Sequence, residues 1–317
     1  MLRDRASLLL LFLAAACAPD ASGEAGPEVA ASELTGDTDP IVHVGVIAGP
    51  EMAGRATPSP GLDRALAYVA GQCVVAGLVG GAAGGVLEQP YRLPGGQAAR
   101  NLVAVRPGTG AHRDEIVLLS AHLDHLGPGF PGADDNGSGS AALVAIAHRL
   151  SRRALDRSVV FLWTTGEERG LLGSAYFADH PPPGLPLERI VQVLNLDAIG
   201  ALDGARFSLL PDETETSART AAILEETSLA MTPPFLRVNY DLEAYTRRTD
   251  AYNFVRHRVP AIWISEGLTN PQGGGPLMPR YHKANDTVEN LLAENGGEKL
   301  RRMTELIGRT VERLAGE

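Results

Sequence analysis

The feature that most restricts how this chain can fold is a short apolar run ending in ionisable residues. Ile116-Val117-Leu118-Leu119 lies within residues 115–120. It is too short for an ordinary helix and has the right length for a strand buried on both faces. Ala121-His122-Leu123-Asp124-His125 follows at once. A Gly/Pro loop comes next, then Gly132-Ala133-Asp134-Asp135-Asn136-Gly137-Ser138-Gly139. Polar groups beyond the carboxyl end of a buried strand are where an open α/β sheet places its active site. Imidazole and carboxylate together are also donors that suit zinc.

The same pattern returns downstream. Val159-Val160-Phe161-Leu162-Trp163 runs through Thr164-Thr165-Gly166 into Glu167-Glu168, and the apolar stretch 190–196 ends at Asp197. Residues 101–106, 206–210 and 260–265 also read as strands. Helical periodicity covers 62–78, 171–178, 213–229, 250–257 and 299–314, the last with Leu300, Met303, Leu306, Ile307 and Val311 on one stripe. Residues 138–150 form a helix of mostly small residues, apolar nearly all round, which must be covered on several sides. Strands alternating with helices predict an α/β fold, a three-layer αβα arrangement with a mixed, largely parallel central sheet.

Parallel neighbours would bring His122, Asp124, Glu167, Glu168 and Asp197 to one rim. Crowded carboxylates repel and raise one another's pKa unless a cation neutralises them. His282, in Arg280-Tyr281-His282-Lys283-Ala284-Asn285-Asp286-Thr287, offers a second imidazole. This donor set suits a hydrolytic site with two metal ions roughly 3.5–4 Å apart.

The ordered segments His122-Leu123-Asp124, Gly132 through Gly139, Glu167-Glu168-Arg169-Gly170-Leu171-Leu172-Gly173-Ser174, Asn195-Leu196-Asp197 and Tyr281-His282 with Asp286-Thr287 resemble the co-catalytic two-zinc aminopeptidase family. These are the secreted bacterial leucyl-type aminopeptidases related to glutamate carboxypeptidase. Gly54-Arg55 and Thr249-Asp250-Ala251-Tyr252 fit as well, so the resemblance runs from about residue 45 to the end. It implies two Zn2+ ions: Asp135 bridging, His122 and Asp197 on one ion, Glu168 and His282 on the other. Glu167 would be the general base acting on the bridging water, and Tyr281 would donate to the oxyanion. Asp124 would orient His122, and the Asp135–Asn136 peptide would be cis. The implied substrates are peptides with a free N-terminus.

Alternatives stand beside these roles. Asp134 could bridge instead of serving as a turn or hydrogen-bonding residue. His125 could be a further ligand but is expected at the pocket rim. Asp250 reads equally as a helix N-cap or a site residue, and Asp286-Thr287 as a cap. Arg169 would make the pocket edge more basic. A carboxypeptidase would use arginines such as Arg169, Arg247 or Arg248; a glutaminyl-cyclase-like transferase would hold one zinc. A non-enzymatic binding ectodomain is the third rival.

Composition adds the setting. A net charge of −10 argues against nucleic acid or an anionic membrane surface as partner. Residues 1–16, with Arg3, Arg5 and the apolar stretch 8–16, read as a signal peptide too short to span a bilayer. The ending Leu13-Ala14-Ala15-Ala16-Cys17 resembles a lipoprotein signal, with an ordinary secretory signal as the alternative. Residues 17–40 read as a flexible tether and 41–317 as a single catalytic domain, expected to be monomeric, exported and held to the membrane only through Cys17. Only Cys17 and Cys73 occur, so if Cys17 is lipidated or removed the fold has no internal disulfide.

Overall fold

The computed structural model describes residues 36–201, 205–238, 242–266 and 278–316. The expected signal peptide and most of the expected tether lie outside them. In chain order the elements are α1 (Pro40–Ile47), α2 (Pro60–Val75), β1 (Val79–Gly80), β2 (Glu88–Arg92), β3 (Ala98–Arg106), β4 (Ile116–His122), α3 (Gly139–Leu150), β5 (Ser158–Thr164), α4 (Leu172–Asp179) and β6 (Ile190–Leu196). Then come β7 (Arg206–Phe207), β8 (Leu209–Pro211), α5 (Glu215–Leu229), β9 (Leu236–Arg237), α6 (Ala251–Arg256), β10 (Ala261–Ile264), α7 (Val288–Asn295) and α8 (Glu298–Gly316).

The main sheet has the order β1-β3-β5-β4-β6-β10-β8, with β2 also on β3. Its centre is parallel: β4 pairs with β5 and β6, and β6 with β10. The flanks are antiparallel, β3 on β5 and β8 on β10. The sheet is therefore mixed, with its parallel strands innermost, and all four of these end on one rim. Register aligns that rim, since His122 lies opposite Thr164 and Ser120 opposite Asn195, two residues before His122 and Asp197 respectively.

Alternation along each strand divides the core in two. Val117, Leu119, Ala121, Phe161, Trp163 and Leu194 face α1, α2, α3, α5 and α8; Ile116, Leu118, Val160, Leu162 and Val193 face Phe177 of α4 and Phe254 of α6. This is the three-layer αβα arrangement. The small residues of α3 let α1, α2, α8, β4 and β5 all approach it, and its only partly exposed member is Arg149, whose guanidinium pairs with Glu305 and Glu312 of α8. The apolar stripe of α8 is fully buried. Each such side chain contributes about 1.5–3 kcal/mol.

Several elements differ from expectation. The tether ends early: Asp39 caps α1 through Ile41 N and forks onto Arg301 of α8. β2 carries Pro90, tolerated because β2 pairs on one side only, with β3. The stretch 206–210 splits into β7, which pairs with β9 in a small separate sheet, and β8 in the main one. Among the described residues, no helix is long and apolar enough to cross a membrane.

Candidate metal centre and active-site cleft

The rim residues converge because each follows a different strand or loop. His122 closes β4, Glu167 and Glu168 follow β5, Asp197 follows β6, and His282 sits in a turn before α7. The wide turn Ala133–Ser138 leads into α3 and presents Asp134 and Asp135 in opposite directions. Asp134 Oδ1 accepts from Gly200 N at 2.7 Å. Asp135 instead faces the imidazoles, with Oδ1 3.4 Å from His122 Nε2 and Oδ2 3.4 Å from His282 Nε2. The Asp135–Asn136 peptide is cis. The turn is tied down by Asp286, whose carboxylate accepts from the N–H groups of Asp134 and Asp135. It needs glycine at its entry: Gly132 has φ +62°, and a Cβ there would lie 2.3 Å from the Asp135 carbonyl oxygen and 2.6 Å from the His125 ring.

Two donor groups share Asp135. On one side, His122 Nε2 is 3.4 Å from Asp197 Oδ1. On the other, His282 Nε2 is 3.0 Å from Glu168 Oε2. Zinc–ligand bonds of about 2.0–2.1 Å at tetrahedral angles separate neighbouring donor atoms by roughly 3.3–3.4 Å, close to the spacings around Asp135. Asp135 Oδ2, Asp124 Oδ2 and His125 Nε2 are buried without a hydrogen-bond partner. Nitrogen and carboxylate donors at this spacing, with a buried carboxylate oxygen unpaired, fit zinc.

His125 is not at the rim of the pocket, where the sequence put it. It is 1 % exposed, and its Nδ1 lies 2.7 Å from Glu168 Oε1. That is a direct hydrogen bond, which holds one Glu168 oxygen and leaves Oε2 facing His282. His125, Asp135 and Glu168 also form a group that could hold an ion. The 4.0 Å from His125 Nδ1 to Asp135 Oδ2 and the short contact to Glu168 favour the positioning role. His122 Nδ1 is 3.1 Å from the main-chain carbonyl of Asp124 and 3.9 Å from its carboxylate. The carbonyl is thus the atom that orients His122, while Asp124 Oδ1 accepts from Glu167 N at 3.2 Å.

The electrostatics are those of a crowded anionic site. Burial pushes the Glu167 carboxyl well above the usual range; His122 opposes this, and Asp197, Asp250 and Glu168 add to it. Burial likewise raises Asp197 and Asp250, and Asp124 to about 6. Burial would raise Asp135 too, but the adjacent His122 and His282 imidazoles bring it below the usual range. Burial alone would lower His282, yet Asp135 and Glu168 lift it to about 9. The protein alone thus balances this charge by holding protons on imidazoles and acids together, which a bound dication would make unnecessary.

Around this centre lies a cleft lined by Glu167, Tyr281, Arg248 and Trp263 together with His122, Asp135, Asp197 and His282. Tyr281 stacks on His282 with ring centroids 3.8 Å apart, and its hydroxyl accepts from Arg248 Nη2 at 2.9 Å. The Tyr281 proton therefore remains for another acceptor. Asp250 precedes α6 without a side-chain cap there; its carboxylate accepts from Thr164 (2.5 Å) and Ser174. Thr287 caps α7. Arg169 does not line the described cleft, its guanidinium being bonded to the Thr57 carbonyl. Trp263 was not identified as a site residue from sequence; Arg248 was named only for a carboxypeptidase, His125 was placed at the rim, and the clamp that Asp286 makes on the Asp135 turn was not foreseen.

Comparison with known proteins agrees with this geometry. Residues 101–308 match the profile of Peptidase family M28. The chain is 28 % identical over 204 residues to leucine aminopeptidase 2 of Trichophyton equinum, a match covering 57 % of this chain and 39 % of that one. It thus spans about two fifths of the length of that relative. Among solved structures it resembles a zinc aminopeptidase from Bacillus subtilis (TM-score 0.58, 23 % identity, 70 % of this chain and 51 % of that one). It also resembles a glutaminyl cyclase from Porphyromonas gingivalis (TM-score 0.65, 20 % identity, 90 % of this chain and 100 % of that one). The family match covers well over half of the sequence and includes every rim residue from His122 to His282; this chain belongs to Peptidase family M28.

Proposed function

We propose that this chain is an aminopeptidase that holds two zinc ions and hydrolyses the N-terminal peptide bond of peptides. The observation that carries the reading is Asp135 standing between His122 with Asp197 and His282 with Glu168, while Glu167 faces the same cleft. In this reading His122 and Asp197 hold one ion, Glu168 and His282 the other, and Asp135 both. Bound zinc supplies Lewis acidity toward the scissile carbonyl and lowers the pKa of water.

The protein's own groups do the rest. Glu167, fixed by its N–H on Asp124, takes a proton from the attacking water and delivers it to the leaving amine. Tyr281, whose hydroxyl lone pair is engaged by Arg248, turns its O–H toward the developing oxyanion. Glu167 and Asp197 offer negative charge for the substrate ammonium.

The test is bound zinc and hydrolysis of Leu-p-nitroanilide by the wild type and by Glu167→Gln. Wild type without zinc, or Glu167→Gln at wild-type speed, would sink the reading. N-acetylated substrate should be inert; cleavage of it would indicate a carboxypeptidase. A cyclase reading draws support from the full coverage of the Porphyromonas gingivalis structure, and is checked by cyclisation of a peptide with N-terminal Gln. The two-sided donor set around Asp135 favours the peptidase.

The sequence reading of residues 1–40 leads us to propose export, with lipid on Cys17 as the membrane tie and a monomeric domain beyond it. Cys17→Ala should move the protein from the membrane to the soluble fraction. Sedimentation of the mature domain should give the monomer mass.

A further inference from the structure

Arg248 is the one arginine or lysine among the described residues that line the cleft. It ends the short helical turn Glu243–Arg248. Its guanidinium lies 5.7 Å from the Tyr245 ring centroid and 5.9 Å from that of Tyr281. Two aromatic faces and one phenol oxygen hold it; among the described residues no carboxylate pairs with it. Guanidinium carries five N–H donors in a planar fork matched to a carboxylate, and one is used here.

A second observation lies beside it. Trp263 of β10 lines the same cleft, is 7 % exposed, and its indole N–H has no acceptor. A buried unpaired donor is costly, and such groups recur where a ligand supplies the missing acceptor. An exposed cation and a buried N–H thus line a cleft whose other charged groups are acids and imidazoles.

We propose that Arg248, aided by Trp263, binds the C-terminal carboxylate of short peptides, so that dipeptides are the preferred substrate class. The proposal rests on the aminopeptidase reading and deepens it. Glu167 and Asp197 take the ammonium group, and Arg248 in the same cleft takes the carboxylate. The spacing agrees. If Tyr281 donates to the scissile oxygen while accepting from Arg248, two hydrogen bonds sharing its hydroxyl put the guanidinium within roughly 5–6 Å of that oxygen. That is about the distance from the scissile oxygen to a carboxylate one residue further on. A longer peptide carries its terminal charge past Arg248 and gains nothing from it.

The experiment compares kcat/KM for Leu-Gly and its amide, Leu-Gly-NH2, with the zinc-loaded protein. The free acid should be preferred by about tenfold or more, mainly through KM, as a charge-assisted bidentate contact implies. Arg248→Gln should bring the ratio to about one, Arg248→Lys should retain part of it, and Trp263→Phe should lower it by a smaller factor. Both substrates share the amine, the scissile bond and Tyr281, so a loss acting through Tyr281 cancels in the ratio. A wild-type ratio near one overturns the proposal even if no variant folds, and so does an Arg248→Gln protein that keeps the preference; either result leaves the aminopeptidase reading standing. Failure to cleave either compound removes both.

Discussion

Two pairs of imidazoles lie near opposite ends of α3, and their proton affinities move in opposite directions. His43 and His148 stack 5.8 Å apart. Their partners are neutral: the Tyr68 hydroxyl and Asp37 carbonyl for His43, the Gln72 amide oxygen for His148. Burial lowers both, His148 to about 4. At the rim, burial alone would lower His122 and His282 as well, yet surrounding carboxylates hold both above the ordinary value. Burial sets the cost of charge; the neighbours decide its sign. The inner pair is a finished structural contact. The rim pair stands among carboxylates, and that mixture of nitrogen and oxygen donors is one that suits a metal ion.

The strongest way to break this contrast is at the shared carboxylate. On the two-zinc proposal, Asp135→Asn should lose its zinc and its activity by metal analysis and assay, whereas Asp134→Asn, altering a group turned toward Gly200, should keep most of its zinc. Equal zinc in the two variants would refute the bridging assignment. Next in size, Glu167→Gln should keep its zinc and lose about 10²–10⁴ in kcat, the usual contribution of a general base. Smaller still, His125→Gln should weaken zinc affinity about 10–100-fold by releasing Glu168; unchanged affinity in a chelator competition would return His125 to a packing role.

The inner pair gives the smallest effect, and its sign is fixed. The unfolded chain protonates His148 near pH 6.5, the folded chain only near 4. Between those values the unfolded state binds more protons, so stability rises with pH and is complete above the window. At about 1.4 kcal/mol per unit, wild type should lose on the order of 1–3 kcal/mol through this residue on acidification. His148→Gln should show a shallower fall in urea midpoint from pH 6.5 to 4. Parallel curves would show that the imidazole is not the titrating group.

Much of this was readable in one dimension. Runs such as Ile116–Leu119 and Val159–Trp163 can only be buried strands, and the acids and histidine that follow the buried runs announce a shared rim. What escaped was set by contacts distant in sequence. α1 is rich in β-branched residues and short; it holds through Asp39 on Arg301 and packing on α3. Asp286 looks like a cap for its own helix, yet it clamps a turn some 150 positions earlier in the chain. His125 reads as rim because nothing nearby in sequence says that Glu168 will meet it. Arg248 and Tyr281 are 33 positions apart, and only the fold joins them.

Arg55 gives the rim one further property. It is fully buried, and its guanidinium donates to the carbonyls of Leu123, Ile47, Pro131 and Gly132. Burial lowers its pKa only to about 10, so it stays charged at neutrality. It therefore acts as a permanent internal cation that laces the loop after β4 to the entry of the Asp135 turn. Metal arriving at this site meets a frame already assembled, and little of its binding free energy goes into ordering the chain. Loss of metal should accordingly leave the fold standing, and the protein should survive repeated stripping and reloading.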